Sequence, residues 1–188
     1  MYDQLSEIAP TVMIQLEALN WKEDIRTLAQ VFGREDAADQ WISAYEEKAK
    51  EAGDAVRAAY GEATSYLSFL ASGGQFFVFT GAGFGSVLYE DMELAKPEGL
   101  PEQSDISLPV VTYEGLASIG ADYIFLMATD EDKAELDQNA VWNSLPAVQS
   151  GQVVELPASP YFNQGYSPIG RELLLDEILE MLDGTTKN

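Results

Sequence analysis

Hydrophobic residues recur at helical spacing through the first third of the chain. In Trp21–Phe32 they return every three to four residues, and Gly33 follows where a glycine commonly ends a helix. A second helix is predicted to begin near Arg34, because apolar residues keep the same period as far as Tyr60. Only Gly53 interrupts that pattern. The sequence therefore predicts a short helix and then a long one before residue 73.

An apolar run at residues 8–14 precedes these helices. It contains Pro10 followed by β-branched residues, a composition that disfavours a helix. We interpret Pro10 to Ile14 as a strand or an extended segment. No partner strand precedes it, so it would be an exposed edge through which two chains could join as a homodimer.

After residue 73 the pattern changes to short apolar runs separated by amphipathic segments. The runs predict strands at residues 75–80, 108–111, 123–127 and 153–156, and the segments predict helices at residues 113–119, 130–138 and 166–182. Residues 96–107 are rich in Pro and polar residues and are predicted to form a loop. Strands that alternate with helices predict an α/β fold with a small doubly wound sheet.

The composition is that of a globular protein with a strongly acidic surface. Of 188 residues, 46% are hydrophobic and 11% are aromatic, enough to build a core. The chain has 10 Lys and Arg against 32 Asp and Glu, a net charge of −22. Such a surface repels nucleic-acid phosphates and anionic lipids. We therefore expect neither a nucleic-acid partner nor binding to a membrane surface.

The sequence contains no Cys and no His, which removes several kinds of chemistry. It cannot supply a thiol nucleophile, a disulfide, a Cys/His zinc site, a Ser-His-Asp triad or an imidazole ligand for haem. The carboxylates at residues 90–93 and 130–132 are most simply charged helix ends. We therefore expect no metal site, and few classes of enzyme remain open.

Two segments could contact a ligand. The glycine-rich segment at residues 81–86 follows a predicted strand, but it lacks the spacing of a dinucleotide fingerprint and the Lys of a P-loop. We interpret it as a flexible loop at a ligand-binding edge of the sheet, with a nucleotide-dependent enzyme as the alternative. Tyr161, Phe162 and Tyr166 lie in a predicted loop, where they could form a wall for an apolar ligand or fill the core. The three Trp residues lie in helical patterns and are expected in the core.

Two motifs resemble signatures of the periplasmic-binding-like proteins that serve ABC importers of ferric siderophores, haem and cobalamin. Residues 114–125 are similar to E-x-L-x-x-I-x-A-D-x-I-F, and residues 142–153 to W-x-x-L-x-A-V-x-x-G-x-V. Residues 2–12 and 21–26 resemble the end of that family's N-terminal lobe and the helix after it. On these motifs the chain is identified as a member of the class III group, whose lobes are joined by a helix.

The resemblance implies a two-lobed receptor with one long helix between the lobes, here the helix that begins near Arg34. Residues 1–20 would be the remnant of the N-terminal lobe. Residues 21–72 would be a helical segment that includes the inter-lobe helix. Residues 73–188 would form a Rossmann-like C-terminal lobe with a small, mostly parallel sheet. The N-terminal lobe and the export signal are expected to lie outside this sequence. The protein is expected outside the cytoplasm, in a periplasm or as a cell-surface lipoprotein.

The resemblance also implies capture of a ferric siderophore and its delivery to the permease of an ABC importer, with haem or cobalamin as alternative ligands. Capture of this kind involves no chemical step, so the resemblance implies a protein that is not an enzyme, with no catalytic residue and no resident cofactor. Glu114 matches the glutamate that pairs with permease arginines in the family. The residues that match the ligand cleft are Gly81, Gly83, Phe84, Tyr161, Phe162, Tyr166 and Arg171. Arg171 could instead neutralise nearby carboxylates, and haem would need a Tyr ligand because His is absent. An interaction module without a ligand is a further alternative.

Overall fold

The amino-terminal part of the chain is helical, as its hydrophobic period predicts. In the computed structural model, which describes residues 1–15 and 19–185, helix α1 covers Tyr2–Ser6, α2 covers Trp21–Phe32 and α3 covers Glu35–Tyr60. Gly33 ends α2 with a φ of 60°, a left-handed conformation that glycine adopts at little cost. The predicted boundaries of both longer helices are confirmed.

Residues 8–14 lie in neither a helix nor a strand. Of the two interpretations of Pro10 to Ile14, the strand is therefore wrong. The predicted homodimer was to form by pairing of this strand, and the segment offers no strand edge for it. The part of the predicted lobe remnant that falls on residues 16–18 lies outside the described residues.

Five strands form one sheet in the order β3-β2-β1-β4-β5. The strands are β1 (Tyr66–Ser72), β2 (Gln75–Val78), β3 (Val110–Val111), β4 (Tyr123–Ala128) and β5 (Val153–Pro157). β4 pairs in parallel with β1 and β5, whereas β2 is antiparallel to both β1 and β3. Four of the five strands therefore point the same way. The small, mostly parallel sheet predicted from the sequence is confirmed.

β1 is a strand that the sequence pattern does not predict. Its residues fall in the segment 21–72 expected to be helical, but they pair with β2 on one side and with β4 on the other. β1 and β2 form a hairpin closed by Gly73 and Gly74, which both have positive φ, as a two-residue turn between strands requires. The helical part of the chain thus ends at Tyr60, and the predicted division at residue 73 falls inside a hairpin.

Helices cover both faces of the sheet. They are α4 (Gly83–Ser86), which continues into a π-helical turn at Val87–Asp91, then α5 (Tyr113–Ala117), α6 (Asp130–Leu136), α7 (Ala140–Ser144), α8 (Pro146–Gln149), α9 (Ala158–Gln164) and α10 (Pro168–Thr185). The predicted helices at residues 113–119, 130–138 and 166–182 are confirmed with shifted ends. The loop predicted around Tyr161 and Phe162 is wrong, because both residues lie in α9. None of the helices in the described ranges combines the length and apolar character needed to span a bilayer.

Successive side chains along each strand point to opposite faces of the sheet, and this divides the core into two layers. In β4, Tyr123, Phe125 and Met127 face the layer that contains α3 and α10, whereas Ile124 and Leu126 face the layer that contains α5, α7 and α8. All five side chains are buried. The strand is therefore apolar on both faces, as expected for a central parallel strand covered by helices on each side.

Most apolar residues of the two motifs singled out in the sequence build the second of these layers, whereas Phe125 faces the first. Leu116 and Ile119 of the first motif and Trp142 of the second pack against the sheet on that side. The carboxylate of Asp122 accepts hydrogen bonds from the backbone N–H and the hydroxyl of Ser65, both at 2.8 Å, and so fixes the start of β1 beside β4. The motifs therefore specify the scaffold of the sheet.

Candidate ligand-binding site

An apolar groove of about 470 Å³ lies where β2, the loop before β3 and α9 meet. It is lined by Phe77, Ile106, Ser107, Leu108, Phe162, Asn163 and Tyr166. Within the part of the chain that the structure describes, no charged side chain lines it. The groove can therefore hold a ligand through its shape, through apolar contact and through aromatic faces.

Two residues that were predicted to bind a ligand come together in this groove. The ring of Phe162 meets the buried ring of Phe79 edge-on, with 5.8 Å between the ring centroids. Tyr166 lies over Gly83, where a Cβ atom would come within 2.8 Å of the Tyr166 ring. Both aromatic rings are thus supported from behind, so this wall of the groove is formed before any ligand arrives.

Three apolar residues of the groove were not singled out by the sequence analysis. Phe77 has the apolar pattern of a buried strand, yet only its neighbours Phe76 and Val78 are fully enclosed. Ile106 belongs to the segment predicted as a loop, and its side chain is 57% exposed. Leu108 begins the predicted strand at residues 108–111 but lies outside β3. A large apolar residue exposed in a loop is a signal that becomes informative only once its neighbours in space are known.

Tyr161 lies beside the groove without lining it. Its hydroxyl donates a hydrogen bond to Glu177 Oε2 at 3.3 Å. Burial and, secondarily, the Glu177 carboxylate raise the pKa of Tyr161, and burial also raises the pKa of Tyr166. Haem iron binds tyrosine as the phenolate, and these shifts make the phenolate less accessible. The site therefore does not favour ligation of haem by either residue.

The glycine-rich segment is packed from Gly83 onward. Residues 83–86 form α4 and are buried. A Cβ atom on Gly85 would clash with the carbonyl group of Phe79, and one on Gly165 would clash with the backbone of Gly83. These glycines let backbone segments approach each other closely, and they leave no open cradle for a phosphate group. The interpretation as a flexible loop is wrong for this part, and nucleotide binding loses its support.

Two of the predicted ligand residues belong to the core. Phe84 is fully buried, and its ring centroid lies 5.2 Å from that of Phe125. Arg171 is only 3% exposed; its Nη1 donates to Asp91 Oδ2 and its Nη2 to the hydroxyl of Ser86, both at 2.6 Å. Of the two roles predicted for Arg171, the structure supports neutralisation of a carboxylate, and Arg171 does not line the groove.

Asp91 and Arg171 join the amino-terminal helices to the lobe. The hydroxyl of Tyr45 on α3 donates to Asp91 Oδ2 at 2.7 Å. Burial raises the pKa of Asp91, while the charge of Arg171 counteracts part of that shift. The guanidinium lies 4.8 Å from the ring centroid of Trp21, and the ring of Trp41 stacks on Tyr45. This cluster therefore fixes α2 and α3 against the π-helical turn and α10.

A polar cavity of about 440 Å³ lies at the Gly81 end of the glycine segment. Its lining comprises Thr80, Gly81, Glu90, Lys96, Pro97, Gly99, Leu100, Pro101, Glu102 and Gln103. Gln103 Oε1 accepts hydrogen bonds from the N–H of Gly81 at 2.9 Å and from the hydroxyl of Thr80 at 3.3 Å. Its Nε2 is buried without a hydrogen-bond partner in the structure. Gln103 thereby holds the loop that carries Ile106 against the glycine segment.

Glu114 lies in the first turn of α5, with its side chain exposed. Thr112 Oγ1 donates a hydrogen bond to Glu114 Oε2 at 2.9 Å. The N–H of Glu114 itself and the Thr112 hydroxyl hold the pKa of this carboxyl below its usual value. The side chain is therefore ionised at neutral pH and open to a cation on another surface.

The acidic clusters at residues 90–93 and 130–132 have structural partners. Asp91 pairs with Arg171, as described above. Asp132 accepts hydrogen bonds from the hydroxyl of Thr129 at 2.6 Å and from the N–H of Gly73 at 2.9 Å. Across residues 1–15 and 19–185, no group of three or more acidic side chains is arranged to hold a metal ion.

Comparison with known proteins places this fold among binding proteins. FhuD2 from Staphylococcus aureus, unliganded and reductively methylated, superposes with a TM-score of 0.85 at 20% identity; the match covers 97% of this chain and 72% of that one. The Iron(3+)-hydroxamate-binding protein FhuD of Bacillus subtilis is 28% identical, over 95% of this chain and 58% of its own length. The Ferric enterobactin-binding periplasmic protein FepB of Escherichia coli is 27% identical, over 89% of this chain and 55% of its own length.

The chain thus spans somewhat more than half the length of these two sequence relatives. The sequence profile described as "Periplasmic binding protein" matches residues 1–160, which covers α1 to α8, β1 to β5 and the start of α9. Both motifs of the second core layer fall within that match. This chain therefore belongs to the periplasmic binding protein family.

Proposed function

We propose that this chain forms one wall of the ligand cleft of an extracytoplasmic binding protein, which captures a ferric siderophore and delivers it to an ABC importer. The observation that carries the proposal is the preformed apolar groove around Phe162 and Tyr166. A siderophore already occupies the coordination sites of its iron, so its receptor needs only to hold the organic shell. The names of the two sequence relatives, one for an iron hydroxamate and one for ferric enterobactin, support this class of ligand.

Helix α3 has the properties of a stiff linker between two lobes. Its 26 residues span roughly 39 Å at 1.5 Å per residue. A Cβ atom on Gly53 would clash with the carbonyl oxygen of Met92, so the helix can approach the π-helical turn only because this residue is glycine. Arg57 donates to the carbonyl oxygens of Met92 and Glu93. A helix fixed in this way limits how far the cleft can close on its ligand.

In this proposal α2 and α3 form the inter-lobe segment and the sheet forms the C-terminal lobe. The lobe begins with β1 at Tyr66, because that strand lies at the centre of the sheet. Residues 1–20 would then be the end of the opposite lobe. The protein would act in a periplasm or at the cell surface as a lipoprotein, as expected for a receptor that meets its ligand before the membrane.

Delivery requires contact with the permease, and we assign Glu114 to that contact. Its carboxylate is exposed and ionised, and it lies on a protein with a net charge of −22. Docking of such a surface on basic permease pockets would be attractive over distance and weakened by salt.

Calorimetric titration of the full-length protein with ferrichrome, ferric enterobactin, haem and cobalamin tests the ligand class. We expect saturable binding of a siderophore and no binding of haem, since the sequence has no His and Tyr161 already donates its hydroxyl to Glu177. A folded protein that binds none of the siderophores would contradict the proposal.

The role of Glu114 is tested separately by uptake of siderophore-bound radioactive iron in cells. The variant Glu114→Arg is expected to reduce uptake while leaving ligand affinity unchanged. Glu180→Arg makes the same change of charge at an exposed position of α10 and should leave both uptake and ligand affinity unchanged. Normal uptake with Glu114→Arg would exclude Glu114 from the permease contact.

A further inference from the structure

We infer that the groove selects ferric siderophores that are uncharged or positively charged and discriminates against trianionic tris-catecholate complexes. The inference rests on the proposed function, because it specifies the ligand class of the same groove. Similarity alone does not decide the point, since one relative is named for a hydroxamate and the other for a catecholate. The charges around the groove do decide it.

No described Lys or Arg lines the groove. Most cations of the described chain are held in ion pairs with nearby carboxylates, as in Lys22–Glu46, Arg26–Asp39, Lys48–Asp176, Lys50–Asp54, Arg57–Asp54, Lys133–Asp137 and Arg171–Asp91. Lys96 lines the polar cavity, with its Nζ 5.3 Å from the ring centroid of Tyr89. Among residues 1–15 and 19–185, the groove itself therefore offers no cation to an anionic ligand, and Lys96 lies in the separate polar cavity.

Two carboxylates, in contrast, are bonded to residues in or next to the groove. Asp105 immediately precedes Ile106, and the N–H of Ser107 donates to its Oδ1 at 2.7 Å. That bond holds the pKa of Asp105 below its usual value, so the group is ionised at neutral pH. Glu177 accepts the hydrogen bond from Tyr161 next to the groove. The local field is therefore negative, in line with the charge of the whole chain.

The two main siderophore chemistries differ in charge. Three hydroxamates carry one negative charge each and cancel the charge of iron(III), whereas three catecholates carry two each and leave the complex with three negative charges. In the groove a trianion would lose part of its hydration, find no cation and face ionised carboxylates. A neutral complex has none of these costs and gains the apolar and aromatic contacts in full.

The test is a pair of titrations of the full-length protein at low ionic strength, one with ferrichrome as a neutral tris-hydroxamate and one with ferric enterobactin. We expect ferrichrome to bind at least about tenfold more tightly, with a smaller difference at high salt. Enterobactin binding that is equal or tighter would overturn the inference and leave the proposed function standing. If neither ferrichrome nor ferric enterobactin binds, the proposed function is overturned, and the inference with it.

A charge variant separates electrostatics from ligand shape. Asn163 is an exposed groove residue, and Asn163→Lys should raise the ratio of the affinity for ferric enterobactin to that for ferrichrome about three- to tenfold. Ser150→Lys adds the same charge at the exposed end of α8, in the opposite core layer, and should change neither affinity. An affinity ratio unchanged by Asn163→Lys would show that charge at the groove does not set selectivity.

Discussion

Replacement of Arg171 by Met is expected to destabilise the protein while leaving its siderophore affinity intact. The side chains of Arg171 and Asp91 are each 4% exposed, and their charged atoms lie 2.6 Å apart. Methionine keeps much of the volume of arginine but none of its charge. Asp91 would lose its cation and Ser86 its hydrogen-bond donor, and Tyr45 would be the remaining partner of the carboxylate.

Removal of one partner of a buried ion pair costs about 3–5 kcal/mol, because the other charge is left buried without compensation. For a protein of this size that loss corresponds to a fall in Tm of roughly 10 °C.

The loss of stability in Arg171→Met is expected to be larger at high pH than at low pH. Burial already raises the pKa of Asp91, and Arg171 is what opposes that shift. In Arg171→Met the folded carboxyl therefore takes up a proton more readily than the unfolded one, so stability is retained at low pH and falls as pH rises through the raised pKa.

Urea unfolding at about pH 5 and about pH 8 measures the loss of stability and its pH dependence. The proteins to compare are the wild type, Arg171→Met, Asp91→Leu and the double variant. The double variant should be closer in stability to the wild type than Arg171→Met is, since it leaves no lone buried charge. Lys48→Met is the matched control: its 2.9 Å ion pair with Asp176 is exposed, and its loss should cost less than about 1 kcal/mol.

The reasoning would be refuted by an Arg171→Met protein that unfolds at the same urea concentration as the wild type at both pH values but binds its ferric siderophore more weakly. That result would show that the guanidinium serves the ligand and that its contact with Asp91 contributes little. A loss of stability without a loss of affinity supports the assignment of Arg171 to the core.

Three further predictions concern the groove and its supports. Phe162→Ala should weaken siderophore binding about tenfold by calorimetry, because it removes one aromatic wall; unchanged affinity would place the ligand elsewhere. Gln103→Leu, which cannot bond Gly81, should lower affinity about three- to tenfold, with Gln103→Glu restoring it because an acceptor oxygen is kept; equal affinities for both would contradict this role. Asp132→Asn should cost about 0.5–1 kcal/mol in urea unfolding at neutral pH. Hydrogen bonds from Thr129 and Gly73 lower the pKa of Asp132, so its contribution to stability is present above the unfolded pKa near 4 and is lost as pH falls through the lowered pKa of the folded state.

The helical framework could be predicted from sequence because its signals are local. The period of α2 and α3, and the glycine at position 33, depend only on neighbouring residues. β1 could not be predicted in the same way. Its seven residues form a short apolar run that fits a buried helix as well as a strand, and the parallel pairing with β4 that decides the matter joins residues far apart in the chain.

The candidate site was predictable only in part, for the same reason. Phe162 and Tyr166 stand out as aromatic residues in a segment rich in turn formers, which points to a ligand wall even though the segment proved to be helical. The burial of Arg171 could not be foreseen, because its partner Asp91 lies 80 positions away in the sequence. Ile106 likewise became a candidate only when the structure placed its loop beside α9.

The division of the core into two layers has a consequence for how such a protein can diversify. The motifs that mark the family pack mainly on one face of the sheet, around Trp142, while the groove lies among elements of the other face, around Phe162. Mutations that alter ligand preference can therefore accumulate without touching the residues that specify the strand pairing. The same separation makes the groove a suitable site for grafting: exchange of the loop before β3 and of α9 should redirect specificity on an unchanged scaffold.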